Sequence, residues 1–265
     1  IEVVRVNMSL LRRRMKTPQL KLELFVKGSK SQTDLCLCYM ADRVPQSLIA
    51  QIKARLDEME LESILSSGYL QPFLENRRGC LFDTVGTTQR PDVLCAKLLE
   101  GRVGLLIDGT PFALVIPKLF CESFQTMDDY CYRPAYATLV RWIKYAAFLV
   151  AVLLPALYVA IALHHPELLN RTLLLILADA EENAPISLTA EAIGVLLVYE
   201  IIREAGLRLP KAVGGAVSIV AGLIIGDAAV ASGLISTPML TVTAIAVIAG
   251  FVVPDLAQSI TLLRL

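Results

Sequence analysis

The apolar run from Tyr145 to Leu163 constrains this chain more than any other feature: it contains no charged residue, is broken once by Pro155, and follows Arg141 and Lys144. At about 1.5 Å rise per residue, a helix of this length covers the roughly 30 Å hydrocarbon core of a bilayer. The rest of the sequence is read around that run.

The chain holds 25 basic and 25 acidic residues in 265, but this formal neutrality conceals two materials. Most charges precede residue 138, and an Ala-, Leu-, Ile- and Val-rich background follows. The composition break predicts a soluble domain over residues 1–137, truncated at its N-terminus, and a transmembrane helical domain over 138–265, truncated at its C-terminus. Truncation is expected because the sequence starts at Ile1 and stops at Leu265, just after a hydrophobic segment. Leu10, Leu11, Arg12, Arg13, Arg14 and Lys16 offer charge without a following apolar core, so no secretory signal is read there. That basic group also lacks the interleaved aromatics of a nucleic-acid surface; it reads as a solvated face or a lipid contact, with no nucleic acid expected.

Cys36, Cys38, Cys80, Cys95, Cys121 and Cys131 all precede the apolar run, and none forms a CxxC pair. Cys36 and Cys38 point to one face of a strand, a poor geometry for a disulfide and too few ligands for zinc. Reduced, partly buried thiols of a cytosolic domain are expected.

Alternation over Asp34 to Met40 predicts a buried strand, and helical spacing over Val44 to Leu61 predicts a helix with Pro45 in its first turn. Pro91 to Glu100 predicts a second helix capped by Gly101, followed by a strand over Val103 to Ile107. This alternation is the pattern of an α/β domain. Asp108-Gly109 predicts a two-residue hairpin with Phe112 to Ile116 returning, and that turn accounts for Asp108 without catalysis. Lys118 to Tyr136 is expected to form a helical connector.

No GxSxG, HExxH or phosphate-loop motif occurs, so no enzyme, catalytic residue or cofactor is expected. His164 and His165 are adjacent on one helix and face different ways, which argues against a metal site.

Four segments are candidates for crossing the membrane: Tyr145 to Leu163, Leu188 to Ile202, Ala212 to Ile235 and Met239 to Val253. Arg141 and Lys144 before the first, and Arg203, Arg208 and Lys211 between the second and third, place those ends in the cytoplasm. His164 to Ser187 then lies on the far side, and Arg264 returns to the cytoplasm. Charges inside the segments are costly, at least about 2.5 kcal/mol near a helix centre. Glu191, Glu200 and Asp227 are therefore the candidate pore or intramembrane polar residues. Glu200 has a helix-end ion pair with Arg203 as its alternative, and Glu191 suits an acidic first turn. Asp227, between Gly226 and Ala228, has no such explanation. Gly222 and Gly226 form a GxxxG pair, the mark of a helix that packs closely on another, in its own chain or a copy.

These segments carry a resemblance. Leu154-Pro155-Ala156-Leu157-Tyr158, His165-Pro166-Glu167-Leu168, Arg203-Glu204-Ala205-Gly206-Leu207-Arg208-Leu209-Pro210 and Ile225-Gly226-Asp227-Ala228-Ala229-Val230 resemble the A subunit of the GerA family of spore germinant receptors. Ser67-Gly68-Tyr69, Arg90-Pro91-Asp92, Leu99-Glu100-Gly101-Arg102-Val103 and Asp108-Gly109-Thr110-Pro111-Phe112 agree with it. Four positions depart from the family pattern. Gln89 stands for a common Glu, Met127 and Asn170 stand for common prolines, and Leu196 falls where many members carry a second membrane glutamate. The resemblance implies a multi-pass protein of the inner spore membrane with its soluble domain on the core side. It implies a homo-oligomer forming a ligand-gated ion channel, a transporter-like B subunit and a lipoprotein C subunit as partners, and contact with membrane lipid. A paralogous channel that amplifies germination, and a non-conducting scaffold that couples a signal, are the alternatives.

Overall fold

Helix and strand signals alternate through the first part of the chain, and each builds on the one before. A computed structural model describes residues 2–75, 81–182 and 185–264. The described chain divides into two units, Ile1–Glu122 and Ser123–Leu265.

The first unit begins with helix α1 (Val4–Arg14), strands β1 (Leu20–Lys27) and β2 (Thr33–Met40), and helix α2 (Gln46–Asp57). A single turn α3 (Gln71–Leu74), the short strand β3 (Gly86–Thr88), helix α4 (Pro91–Leu99), β4 (Val103–Ile107) and β5 (Ala113–Ile116) complete it. The sheet runs in the order β1-β2-β4-β5-β3, and every pairing is antiparallel. This corrects the α/β expectation. The helix-strand alternation is present, but β2 and β4 lie antiparallel, so the domain is an antiparallel sheet with helices on both faces. Periodicity reports which residues face the core and is silent on strand direction.

Burial on both faces follows from the sequence of β2 and β4, whose near-continuous apolar residues are inaccessible on either side. Leu35, Leu37, Leu105 and Ile107 meet Ile49, Ile52 and Leu56 of α2 on one face. Cys36, Cys38 and Leu106 meet Val4 and Leu11 of α1 and Leu94 and Leu98 of α4 on the other. Gly104 allows that second packing: a Cβ there would lie 2.8 Å from Leu94 Cδ1. The Sγ atoms of Cys36 and Cys38 are 3.8 Å apart as free, fully buried thiols. Cys121 and Cys131 are exposed, and Cys80 lies outside the described residues.

Gly101 ends α4 as expected, with φ +84°. The Arg102 N–H donates to the Lys97 carbonyl and the Gly101 N–H to that of Leu98, the paired bonds of a Schellman cap. The hairpin differs from expectation. β4 and β5 are joined by residues 108–112, and only Gly109 of the Asp-Gly pair has positive φ. Asp108 is occupied elsewhere: its Oδ1 accepts the Val4 N–H at 2.8 Å, satisfying an open donor in the first turn of α1.

The second unit starts with two 3-10 turns, Phe120–Phe124 reaching in from the first unit and Met127–Tyr130, where a continuous helical connector was expected. Thr126 and Asp129 form a capping box on the second of these. Helix α5 (Pro134–His164) follows and is about 46 Å long by helical rise. Then come α6 (Arg171–Glu182), α7 (Leu188–Arg208), α8 (Lys211–Ala231), α9 (Thr237–Phe251) and α10 (Ala257–Arg264). Helix α6 lies within His164 to Ser187, the segment expected on the far side. Among the described residues, α5 alone is both long and apolar enough to cross a membrane; Gly222–Ala231 and Thr237–Phe251 are shorter apolar helices. The side chains of Lys211, Gly214, Gly215, Ala216 and Ala221 lie outside the described residues.

Candidate functional site

The N-terminal end of α5 is held by charge. Asp129 accepts Lys144 Nζ at 3.1 Å on both carboxylate oxygens, and Arg141 Nε lies 3.7 Å away. Burial alone would raise the Asp129 carboxyl, but the Thr126 backbone N–H, Lys144 and the Thr126 hydroxyl outweigh it and hold it below the usual range. Phe124, fully buried, stacks on Tyr145 at 4.2 Å and meets Phe148 edge-on at 5.6 Å. The two cations that mark orientation in the sequence thus also anchor the start of the span.

Glu191 lies in the first turn of α7 and is only 1 % exposed. Its Oε1 accepts the Ser236 N–H at 2.6 Å and the Ser236 hydroxyl at 2.7 Å. Ser236 is the N-cap of α9, so a carboxylate from α7 sits at the positive end of another helix. Leu188, Ala192 and Met239 pack beside it with Tyr158, Val159 and Ala162 of α5. Its second oxygen, Oε2, is buried without a hydrogen-bond partner among the described residues.

Glu200 pairs with Arg203 at 2.6 Å within α7. The Thr261 hydroxyl of α10 donates to Glu200 Oε1 at 3.0 Å and accepts Arg203 Nη1 at 2.9 Å. Asp227 stands apart from both glutamates. It is exposed on α8, with no ion pair or hydrogen bond among the described residues. The structure therefore gives the three acidic candidates three different settings rather than one site.

A fourth polar residue belongs with them. Pro155 has no N–H, so the carbonyl of Ala151, one turn earlier in α5, loses its helical donor. Arg264 supplies the replacement: its Nε donates to Ala151 O at 2.9 Å, and its Nη2 donates to Ala246 O of α9 at 3.2 Å. Gly250 makes room, since a Cβ there would lie 3.3 Å from that Nη2. Arg264, expected on the cytoplasmic side, lies against the midlengths of α5 and α9. The Pro155 interruption was the available signal, because an open carbonyl inside an apolar helix demands a donor.

Gly222 and Gly226 line an apolar groove of about 690 Å³ between α7, α8 and α9, together with Ile202, Ile225, Thr243 and Val247. A Cβ at Gly222 would meet nothing within 4 Å, and one at Gly226 would touch only Leu240 Cδ2 at 3.9 Å. The Thr243 hydroxyl is buried and has no partner among the described residues. Close packing inside the chain therefore does not use the GxxxG stripe at Gly222. His165 Nδ1 meets Glu167 Oε1 at 3.3 Å in solvent, and no metal-holding cluster occurs among the described residues.

An antiparallel sheet domain followed by a helical unit with one long apolar helix, and with carboxylates and an arginine tying its helices together, is the class of chain these features define. The chain belongs to the GerA family: the family model described as Bacillus/Clostridium GerA spore germination protein matches residues 1–265. It is 39 % identical over 260 residues to spore germination protein KA of Bacillus subtilis, covering 98 % of this chain and 48 % of that protein. It is also 39 % identical to the uncharacterized membrane protein YfkQ of Bacillus subtilis, over 99 % of this chain and 52 % of that protein. The crystal structure of the N-terminal domain of the A subunit of the Bacillus megaterium spore germinant receptor GerK3 matches at 38 % identity and a TM-score of 0.37, covering 45 % of this chain and 95 % of that one. The chain spans about half the length of the curated relatives it matches.

Proposed function

We propose that this chain is the membrane part and adjoining soluble domain of a germinant-receptor A subunit that assembles with copies of itself into an ion channel of the inner spore membrane. Family membership supports the role in germination. The observation that carries assembly is the GxxxG stripe on α8, where a Cβ at Gly222 would meet nothing within 4 Å. A second copy laid on this stripe approaches closely because no side chain stands between the backbones. Asp227 lies five residues on, about 140° round α8 from Gly222, and its exposed carboxylate is in this reading a separate group that attracts cations. Alternating passages of α5, α7, α8 and α9, with tilt or broken spans for the shorter ones, keep the soluble domain on the cytoplasmic side. The nutrient-binding B subunit and lipoprotein C subunit are the partners of this reading.

One observation favours a non-conducting coupling role. Glu191 and Glu200 are engaged in bonds between helices, which suits a scaffold that passes a movement along. Flux and mass decide between the two. In liposomes the channel reading expects potassium or sodium flux from a defined oligomer, reduced by Asp227→Asn and abolished with the oligomer by Gly222→Leu. A stable oligomer without flux, alone and with its partner subunits, favours the scaffold.

A further inference from the structure

The first unit has a basic concavity that neither its fold nor its packing explains. It lies between α1 and β1 and encloses about 610 Å³, with Met8, Leu22 and Leu24 as its floor and Arg5, Arg12 and Arg13 around it. β1 is the outermost strand of the sheet. Leu20 and Leu22 on this face run under α1, but Leu24 and Val26 extend past it and are 49 % and 59 % exposed. Among the described residues no carboxylate pairs with Arg5, Arg12 or Arg13, and no acidic side chain lines the concavity. The other face of β1 is different: Lys27 pairs with Asp57, and Glu23 pairs with Lys53 and accepts the Tyr39 hydroxyl. Arginines with no carboxylate partner beside exposed apolar side chains complement a surface of phosphates backed by hydrocarbon, although Arg12 Nη1 also donates to the Thr17 carbonyl at 3.4 Å.

We infer that the α1–β1 face is a docking surface for anionic lipid headgroups, with Arg5, Arg12 and Arg13 on the phosphates and Leu24 and Val26 at the headgroup boundary. The inference rests on the membrane reading of α5, which follows the domain in the chain after a short connector. On that reading the domain faces the cytoplasmic leaflet, where anionic lipid gives a negative surface potential. Docking ties the domain to the bilayer independently of the covalent link, and its strength falls as salt screens the arginines.

The test uses the whole chain in nanodiscs of phosphatidylcholine alone or mixed in equal parts with phosphatidylglycerol, read by backbone hydrogen exchange. Anionic discs are expected to slow exchange in α1 and β1, and salt at about 0.5 M to reverse the slowing. Each arginine neutralised is expected to weaken docking about fivefold, so Arg5→Gln/Arg12→Gln/Arg13→Gln together remove the protection. Retained protection of β2 and β4 in that variant shows that the sheet is intact. Equal exchange of α1 and β1 in both lipids, with α5 still protected, overturns the docking surface while leaving the membrane reading in place. Loss of α5 protection in the discs overturns the membrane reading and the inference with it. Protection that appears only in discs holding two or more chains, irrespective of lipid charge, assigns the face to a second copy and overturns lipid as the occupant.

Discussion

The two units solve opposite burial problems with similar residues. In the sheet domain the large apolar side chains point inward: Leu35, Leu37, Leu105 and Leu114 are inaccessible. In the helical unit Trp142, Ile219 and Leu223 are at least 70 % exposed, while Glu191 and Lys144 are buried. The contrast is the one that the proposed membrane setting of the second unit requires. In an apolar surrounding, buried groups such as Glu191 and Lys144 must find their hydrogen bonds within the protein.

Paired leucine truncations attack that contrast most directly. Leu105→Ala is expected to destabilise the sheet domain by about 4 kcal/mol through lost burial and a cavity. Leu223→Ala is expected to change stability in lipid by less than about 0.5 kcal/mol. Chemical denaturation of the chain in detergent or lipid, followed separately for the two units, measures both. A large loss from Leu223→Ala would place that side chain in an interior and break the comparison.

Polar substitutions sharpen it. Glu191→Ala leaves the Ser236 N–H and hydroxyl unsatisfied at the start of α9, and about 2 kcal/mol of helical-unit stability is expected to go with them. Amide exchange in α9 should accelerate while the sheet stays protected; unchanged exchange would mean that the carboxylate is not a tie between α7 and α9.

The smallest effect is a pH dependence at the start of α5. Asp129 has a depressed folded-state pKa. Its contribution is therefore complete above the ordinary carboxylate value near pH 4 and is lost as pH falls through the depressed value. About 1 kcal/mol is expected to disappear on acidification, and Asp129→Asn should abolish that part of the pH profile.

Local pattern made much of the sheet domain legible. β2, α2, α4, Gly101, β4 and β5 all announce themselves through period, cap or turn residues. The antiparallel order was not legible, because strand direction is decided by contacts such as Leu37 with Leu105 across a long stretch of chain. β1 lies outside the sequence expectations although Leu20, Leu22, Leu24 and Val26 alternate cleanly; the basic run just before it favours a surface assignment. α1 is obscure for a related reason, since Val4, Leu11 and Met15 are its inward residues among many arginines. Asp108 shows how a turn signal can hide another job, because its carboxylate serves a helix 104 residues earlier. In the helical unit, charge inside an apolar run singles out Glu191, Glu200 and Asp227. Their settings depend on which helices meet, and nothing local encodes that.

The bond from Arg264 to Ala151 has a consequence for how this chain is made. The donor lies 113 residues after the acceptor. At ordinary rates of translation, α5 leaves the ribosome about ten seconds before the guanidinium that completes its backbone exists. Until then the Ala151 carbonyl needs water or another temporary donor, so the apolar helix and α10 are bound into one assembly step during biogenesis. A nascent chain stopped before residue 264 would hold every residue of α5 and still lack the donor that its proline calls for.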